Sequence, residues 1–281
     1  MNSKFSPLIT IIVAVFNGAK TLQQCIDSVS QQGYKNIELI IIDGGSTDGT
    51  VDVLKKNQEK ISYWVSEPDS GIYNAWNKGL IQVKGEWICF LGADDFLWDA
   101  HVIERISIQL EKIPLSIRVA YGKIMLLNYD AEPLYLVGDP WEKVQERFKQ
   151  VMCIPHQGVM HRQSLFDCHG KFDESFRIAG DYELLMRELK TGNACFLINV
   201  VIAGMRQGGI SSNPNESIVL LNELRRTQNI HGLPLGRLWV SALIKAHIRL
   251  ILWKFLGEKL TRKLLDVGRR CMGLQPYWTQ T

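Results

Sequence analysis

Leu8 to Val15 (LITIIVAV) is an unbroken apolar run rich in β-branched residues, the pattern of a central parallel strand covered on both faces. Asn17 and Gly18 end it. Leu22, Cys25, Ile26 and Val29 then recur at helical spacing up to Gln32, and Gly33 stops that helix. Ile37 to Ile42 is a second buried strand, which runs into Asp43 and the loop GGSTDGT. Thr50 to about Lys60 is predicted helical, Ile61 to Val65 a third strand, and Glu67 to Gly71 a loop. Ile72, Trp76, Leu80 and Val83 mark another helix, followed by the strand Trp87 to Leu91 and then Gly92, Ala93, Asp94 and Asp95. Four strands alternating with helices predict a parallel α/β sheet with right-handed crossovers. Ligands of such sheets bind beyond the carboxyl ends of the strands, where Asp43, Asp69, Asp94 and Asp95 all fall.

The pattern then changes. After a helix from about His101 to Glu111, RVAYGKIMLL and PLYLVG predict an antiparallel hairpin turning at Asn128 to Pro133. A helix from Pro140 to Lys149, a strand through IPHQGVMHR, a loop from Asp173 to Gly180 and the helix DYELLMREL follow. Cys195 to Ile202 is predicted as the last strand, Arg206 to Ser211 as a flexible loop, and Glu216 to Asn229 as a helix.

With 281 residues, 46% hydrophobic and 22% charged, the chain has the composition of a globular protein. Its six cysteines form no CxxC pair and mostly sit in apolar runs, which predicts core thiols in a reducing compartment. The first apolar run is too short to span a bilayer and lacks a small-residue cleavage site, so it reads as a strand rather than a signal peptide. A net charge of +3 is too small for a nucleic-acid binder, yet it is unevenly spread: Leu235 to Thr281 holds nine Lys and Arg against Glu258 and Asp266.

Adjacent carboxylates at the rim of an apolar strand repel each other and resist desolvation, so they call for a cation, a ligand or open water. A hard divalent metal is one such partner for Asp94 and Asp95; capping a helix that begins near Asp99 is the other reading. Asp181 opens its helix as an N-cap or as a functional acid. His156 and His161, five apart on an expected strand, would point to opposite faces and make a poor metal pair, with one lining a pocket and the other packing. There is no GxGxxG after the first strand and no GxxxxGK[ST].

The ordered motifs VFNG, IIDGGSTDGT, SEPDSGIYNAWNKG, GEWICFLGADD, IPHQGVMHR and IAGDYELLMR resemble family 2 glycosyltransferases of the GT-A fold, most of all small bacterial enzymes of O-antigen and other surface polysaccharides. The resemblance covers roughly Pro7 to Ser211. It implies a mostly parallel nucleotide-binding sheet with an antiparallel acceptor-side extension: a domain over 1–230, with a donor half of about 7–100, an acceptor half of about 101–230, and a basic helical tail over 231–281. It implies a UDP-sugar donor contacted by Val15, Asn17, Asp43, Asp69, Lys78 and Asp94. A Mn2+ or Mg2+ ion would sit on Asp95 and Asp94, and Asp181 would be the catalytic base of an inverting transfer. His156, Trp141 and Arg206 are candidates for the acceptor side or the pocket wall. The chain departs from the family pattern twice: Ala93 replaces the first DxD acid, which favours Asp95 as the metal ligand, and Gly180 replaces the glutamate of the ED motif.

In the tail, Arg237, Ser241, Lys245 and Arg249 repeat every four residues among Leu238, Leu243, Ile244, Ile248, Ile251, Leu252 and Phe255. This pattern predicts either a helix lying in a membrane interface with Trp239 and Trp253 near the headgroups, or one docked on the domain. The resemblance implies a lipid-linked acceptor on undecaprenyl diphosphate, UDP-glucose or UDP-galactose as donor, a β1,3 linkage to N-acetylglucosamine, and the cytoplasmic face of the inner membrane. Exopolysaccharide, capsule or protein-linked glycan are alternative products. A sugar nucleotidyltransferase is the competing enzyme class, against which stands the missing Gly-rich triphosphate loop after the first strand. A catalytically dead binding module is a third reading, against which stand Asp95 and Asp181.

Overall fold

The computed structural model describes residues 6–209, 216–273, 276, 278 and 279. Strands β1 (Ile9–Val15), β2 (Ile37–Asp43), β3 (Tyr63–Ser66) and β4 (Trp87–Gly92) pair in parallel in the spatial order β3-β2-β1-β4. They are linked by α1 (Leu22–Ser30), α2 (Thr50–Lys56) and α3 (Ile72–Leu80), with a short 3-10 turn at Gln58–Lys60. The apolar runs are continuous because both faces of these strands are covered. Ile9, Ile11 and Val13 point into a core shared with Leu22, Cys25 and Ile26 of α1. Ile12, Ile40 and Ile42 point the other way, onto Tyr73, Ala75 and Trp76 of α3.

A two-residue strand β5 (Phe96–Leu97) directly follows Asp95 and pairs with β9 (Ala194–Arg206), so the acidic turn joins two strands and caps no helix. The helix after it, α4 (Val102–Leu110), begins later, and Asp99 braces the turn before it, its Oδ1 accepting from the amide of the N-cap residue His101 at 2.8 Å.

Among the described residues, the second half completes one nine-stranded sheet. The strands β6 (Val119–Leu127) and β7 (Pro133–Val137) form the expected antiparallel hairpin. Beyond it come α5 (Trp141–Phe148), β8 (Val159–Arg162), α6 (Gln163–His169) and α7 (Gly180–Leu189). The expected strand through IPHQGVMHR is shorter than predicted, because His156–Gly158 forms a 3-10 turn before β8 starts. Helix α6 has too few apolar positions to register in the pattern. The topological change is also less complete than expected: β8 runs antiparallel to β4 and β6, whereas β9 runs parallel to β6 and extends to Arg206. Of the expected loop Arg206 to Ser211, Arg206 closes β9, and residues 210 and 211 lie outside the described residues.

Helix α8 (Ser217–Ile230) packs on α7, and α9 (Arg237–Cys271) packs on α8. Helix α9 breaks at Gly257, whose φ of 72° and ψ of 170° leave the helical region in a conformation that glycine alone adopts cheaply.

Candidate active site

Register aligns the carboxyl ends of the parallel strands. Val15 stands opposite Asp43, Asp43 opposite Ser66, and Ala14 opposite Gly92. Asp43 is fully buried and accepts from the Ser66 hydroxyl at 2.5 Å, the Ser46 amide at 3.0 Å and the Ser46 hydroxyl. Its role in the fold is therefore to shape the GGSTDGT loop. Asn17, with a φ of 51°, ties the first loop to the second: its amide donates to Ser46 Oγ at 2.6 Å and its side-chain carbonyl accepts from the Thr47 amide at 3.0 Å. Asp69 leans over Gly44, where a Cβ would come within 2.6 Å of its carboxylate, and it bonds the Gly71 amide at 2.9 Å. Lys78 braces the same loop from below, with Nζ 2.9 Å from the Pro68 carbonyl and 2.8 Å from Glu67 Oε1. These residues form one corner of the sheet edge.

The neighbouring corner is a cavity of about 510 Å³, lined by Asp94, Asp95, Asp181, His156, Arg206 and Trp76 among others. Chain positions some ninety residues apart thus share one space. Asp95 is buried, its Oδ2 holds the Gly92 amide at 3.0 Å, and burial together with the Asp94 charge pushes its carboxyl well above the usual range. Asp94 is the more exposed of the two.

The carboxyl-rich set suits a hard cation, which would offset both the burial and the Asp94 charge that lift Asp95. No group of three or more His, Cys, Asp and Glu that could hold a metal occurs among the described residues. A cation here would draw further oxygens from its substrate, as magnesium and manganese sites on phosphates do.

Asp181 is not an N-cap. Ala179 holds that position, and Asp181 lies one residue inside α7. Its Oδ1 accepts from the Tyr182 amide at 2.8 Å and lies 3.3 Å from the Tyr73 hydroxyl. No side chain among the described residues bonds Oδ2. Burial raises its carboxyl to about 6, against the lowering effect of those bonds.

His156 and His161 do not lie on opposite faces. The 3-10 turn breaks the strand alternation, and the two rings sit 5.2 Å apart against Phe90. His156 lines the cavity and is held neutral, its pKa lowered to about 3 by burial, while His161 is fully buried with Nδ1 3.3 Å from the Ile88 carbonyl. Trp141 is a core residue, with its ring 5.7 Å from Phe148 and no place in the cavity wall. Arg206 lines the cavity and is anchored to Gln24. Tyr73, Gln157 and Arg177 also line it and escaped the sequence reading. The only signal for Tyr73 was its aromatic spacing to Trp76 in IYNAW.

Solved structures share this architecture. S. aureus TarS 1–349 in complex with UDP-GlcNAc superimposes with a TM-score of 0.63 at 18% identity, over 88% of this chain and 71% of that one. This chain spans 42% of the length of TarS in its longer crystal structure. The mannosyltransferase PcManGT from Pyrobaculum calidifontis, solved with GDP-Man and Mn2+, gives 0.64 at 16% identity, over 98% and 83%. The fold is thus that of the GT-A glycosyltransferases.

The chain belongs to glycosyl transferase family 2, whose family model matches residues 10–165. It is 32% identical over 231 residues to an uncharacterized glycosyltransferase of Mycobacterium tuberculosis, covering 80% of this chain and 85% of that protein. It is 28% identical over 219 residues to a PGL/p-HBAD biosynthesis glycosyltransferase of Mycobacterium bovis, covering 74% and 80%.

Proposed function

We propose that the protein transfers a hexose, with inversion, from a UDP-sugar to a hydroxyl of a lipid-linked saccharide. The observation that carries this reading is the convergence of Asp94, Asp95 and Asp181 on one cavity beside the Asp43 and Asp69 loops. Two acids at a strand exit and a third across the cavity divide the work of transfer between leaving group and nucleophile.

A divalent ion on Asp95 and Asp94 would neutralise the charge that develops on the departing diphosphate. Asp181 takes the proton of the attacking hydroxyl. Its Oδ1 is fixed by Tyr182 and Tyr73, which leaves Oδ2 to receive that proton, and a carboxyl raised to about 6 is ionised at neutral pH yet basic enough to act. A single displacement without a covalent intermediate inverts the anomeric centre. Neutral His156 and cationic Arg206 flank the same space and would contact the acceptor or the phosphates.

The donors are UDP-glucose or UDP-galactose, and the acceptor is N-acetylglucosamine on undecaprenyl diphosphate, extended β1,3 during O-antigen assembly. The motif resemblance supports this choice, as does a cavity wall rich in apolar groups such as Ile72, Met152, Ile154 and Leu220. The test is incubation of purified protein with Mn2+, a synthetic GlcNAc-diphosphate-lipid and a panel of UDP- and GDP-sugars, with the product read by mass and by NMR. A β-linked product from one UDP-hexose is expected. Retained anomeric configuration would overturn the mechanism, and transfer from a GDP-sugar alone would overturn the donor.

A further inference from the structure

Helix α9 uses opposite faces for different purposes. On one, Trp239, Ala242, Leu243 and Ala246 pack into the core beside α8, and Trp239 Nε1 donates to the Leu221 carbonyl at 2.6 Å. Trp239 therefore belongs to the domain rather than to a headgroup layer. On the other face, Ile244, Ile248, Ile251 and Phe255 are 55%, 51%, 56% and 78% exposed. Their spacing of four, three and four residues draws them into a single stripe. At 100° per residue, Lys245 and Lys254 fall on its two flanks, both exposed.

Past the Gly257 break the pattern repeats. Leu260, Leu264 and Val267 are about half exposed and aligned, with exposed Lys259, Lys263 and Arg270 along one side. The two acids of the tail leave this positive border intact. Glu258 pairs with Arg262, and Asp266 is buried, bonding the Trp278 and Thr279 amides at 3.0 and 2.7 Å.

An apolar stripe edged by lysines suits an anionic surface. A second copy of this chain would bring lysine borders against lysine borders, whereas anionic headgroups pair with them while acyl chains take the stripe. No helix among the described residues is long and apolar enough to cross a membrane, so α9 would lie along the surface. Leu220 and Leu224 of α8 line the cavity, and α9 rests on α8, so a lipid surface against the outer face of α9 would be separated from the acceptor space by those two helices.

We propose that α9 seats the protein on an anionic phospholipid surface, with Ile244, Ile248, Ile251 and Phe255 in the acyl boundary and Lys245 and Lys254 on the headgroup phosphates. This deepens the lipid-linked acceptor of the proposed function and rests on that reading for its purpose, though not for its geometry.

Flotation of the full-length protein with vesicles of phosphatidylcholine alone, and of phosphatidylcholine mixed with phosphatidylglycerol, tests it without donor or acceptor. Binding to the anionic vesicles alone is expected, weakening with salt. Ile248→Asp and Phe255→Asp should each lower it by about tenfold or more, and Lys245→Gln or Lys254→Gln by roughly fivefold. All four side chains are exposed, so circular dichroism should show unchanged folding. Absence of binding to anionic vesicles, or equal binding by the aspartate variants, would overturn the proposal. So would sedimentation showing that Phe255→Asp breaks a dimer of a chain that ignores vesicles. Transfer to a soluble acceptor is measured separately, so failure here is distinguishable from failure of the enzymatic reading.

Discussion

The Tyr73 hydroxyl shares its one proton between the Ile178 carbonyl at 2.7 Å and Asp181 Oδ1 at 3.3 Å, so a residue of α3 on the donor half positions an acid of α7 on the other half. Gly180 makes this approach possible. A Cβ there would lie 2.9 Å from the Tyr73 ring, too close for a rigid aromatic edge to tolerate. The replacement of the motif glutamate at 180 thus has a local reason.

Asp181→Asn is expected to lower turnover by about 10²- to 10⁴-fold while leaving donor binding nearly unchanged. Initial rates and calorimetric titration of UDP would separate the two. Unchanged turnover would remove Asp181 from the mechanism.

The same substitution should stabilise the fold at neutral pH. Burial holds the Asp181 carboxyl at about 6, against an ordinary 3.8, so the folded chain keeps a proton that the unfolded chain releases. Stability from this group is complete below the ordinary value and is lost as pH rises to about 6. Above that it costs up to about 3 kcal/mol, which asparagine avoids. Thermal melts of both proteins at pH 4 and pH 8 should differ more at the higher pH.

Activity should rise with pH along a limb centred near 6 as Asp181 ionises. Tyr73→Phe removes a bond that favours the carboxylate, so the limb should move upward and the fold lose roughly 1 to 2 kcal/mol through the stranded Ile178 carbonyl. A pH–rate profile of the variant that overlays the parent's would show that Tyr73 only packs.

Gly180→Ala should displace the Tyr73 ring and lower kcat by on the order of tenfold or more without altering UDP affinity. A crystal structure of the variant with Tyr73 unmoved would contradict this account.

Asp95→Asn should weaken Mn2+-dependent UDP binding more than Asp94→Asn, and should raise the melting temperature of the metal-free protein by replacing a carboxyl whose ionised form is disfavoured by burial and by Asp94 with a neutral amide. Titrations with and without chelator, together with melts, check both statements. Equal effects of the two substitutions would end the priority of Asp95.

Much of the donor half was legible in the chain. The runs LITIIVAV, IELIII and WICFL place β1, β2 and β4 almost to the residue, and their acids fall at the sheet edge, because a strand buried on both faces leaves a continuous apolar signature. The second half was less legible. In IPHQGVMHR a 3-10 turn and a strand follow each other directly in one short segment, and periodicity over so few residues cannot separate them. Trp141 carries the same side chain whether it lines a cavity or fills a core, and only its burial in a core that includes Phe148 decides.

The sequence by itself therefore determined the alternation of strands and helices, the acids at the strand exits and the basic, amphipathic character of the tail, all of which follow from spacing along the chain. Tertiary structure decided the rest: that β9 returns parallel to β6, that Asp181 shares a cavity with Asp95, and that α9 docks by Trp239 while Ile248 and Phe255 face outward. Those outcomes depend on which surfaces meet across long loops of chain, and hydrophobic periodicity specifies that a face is buried without naming the surface that buries it.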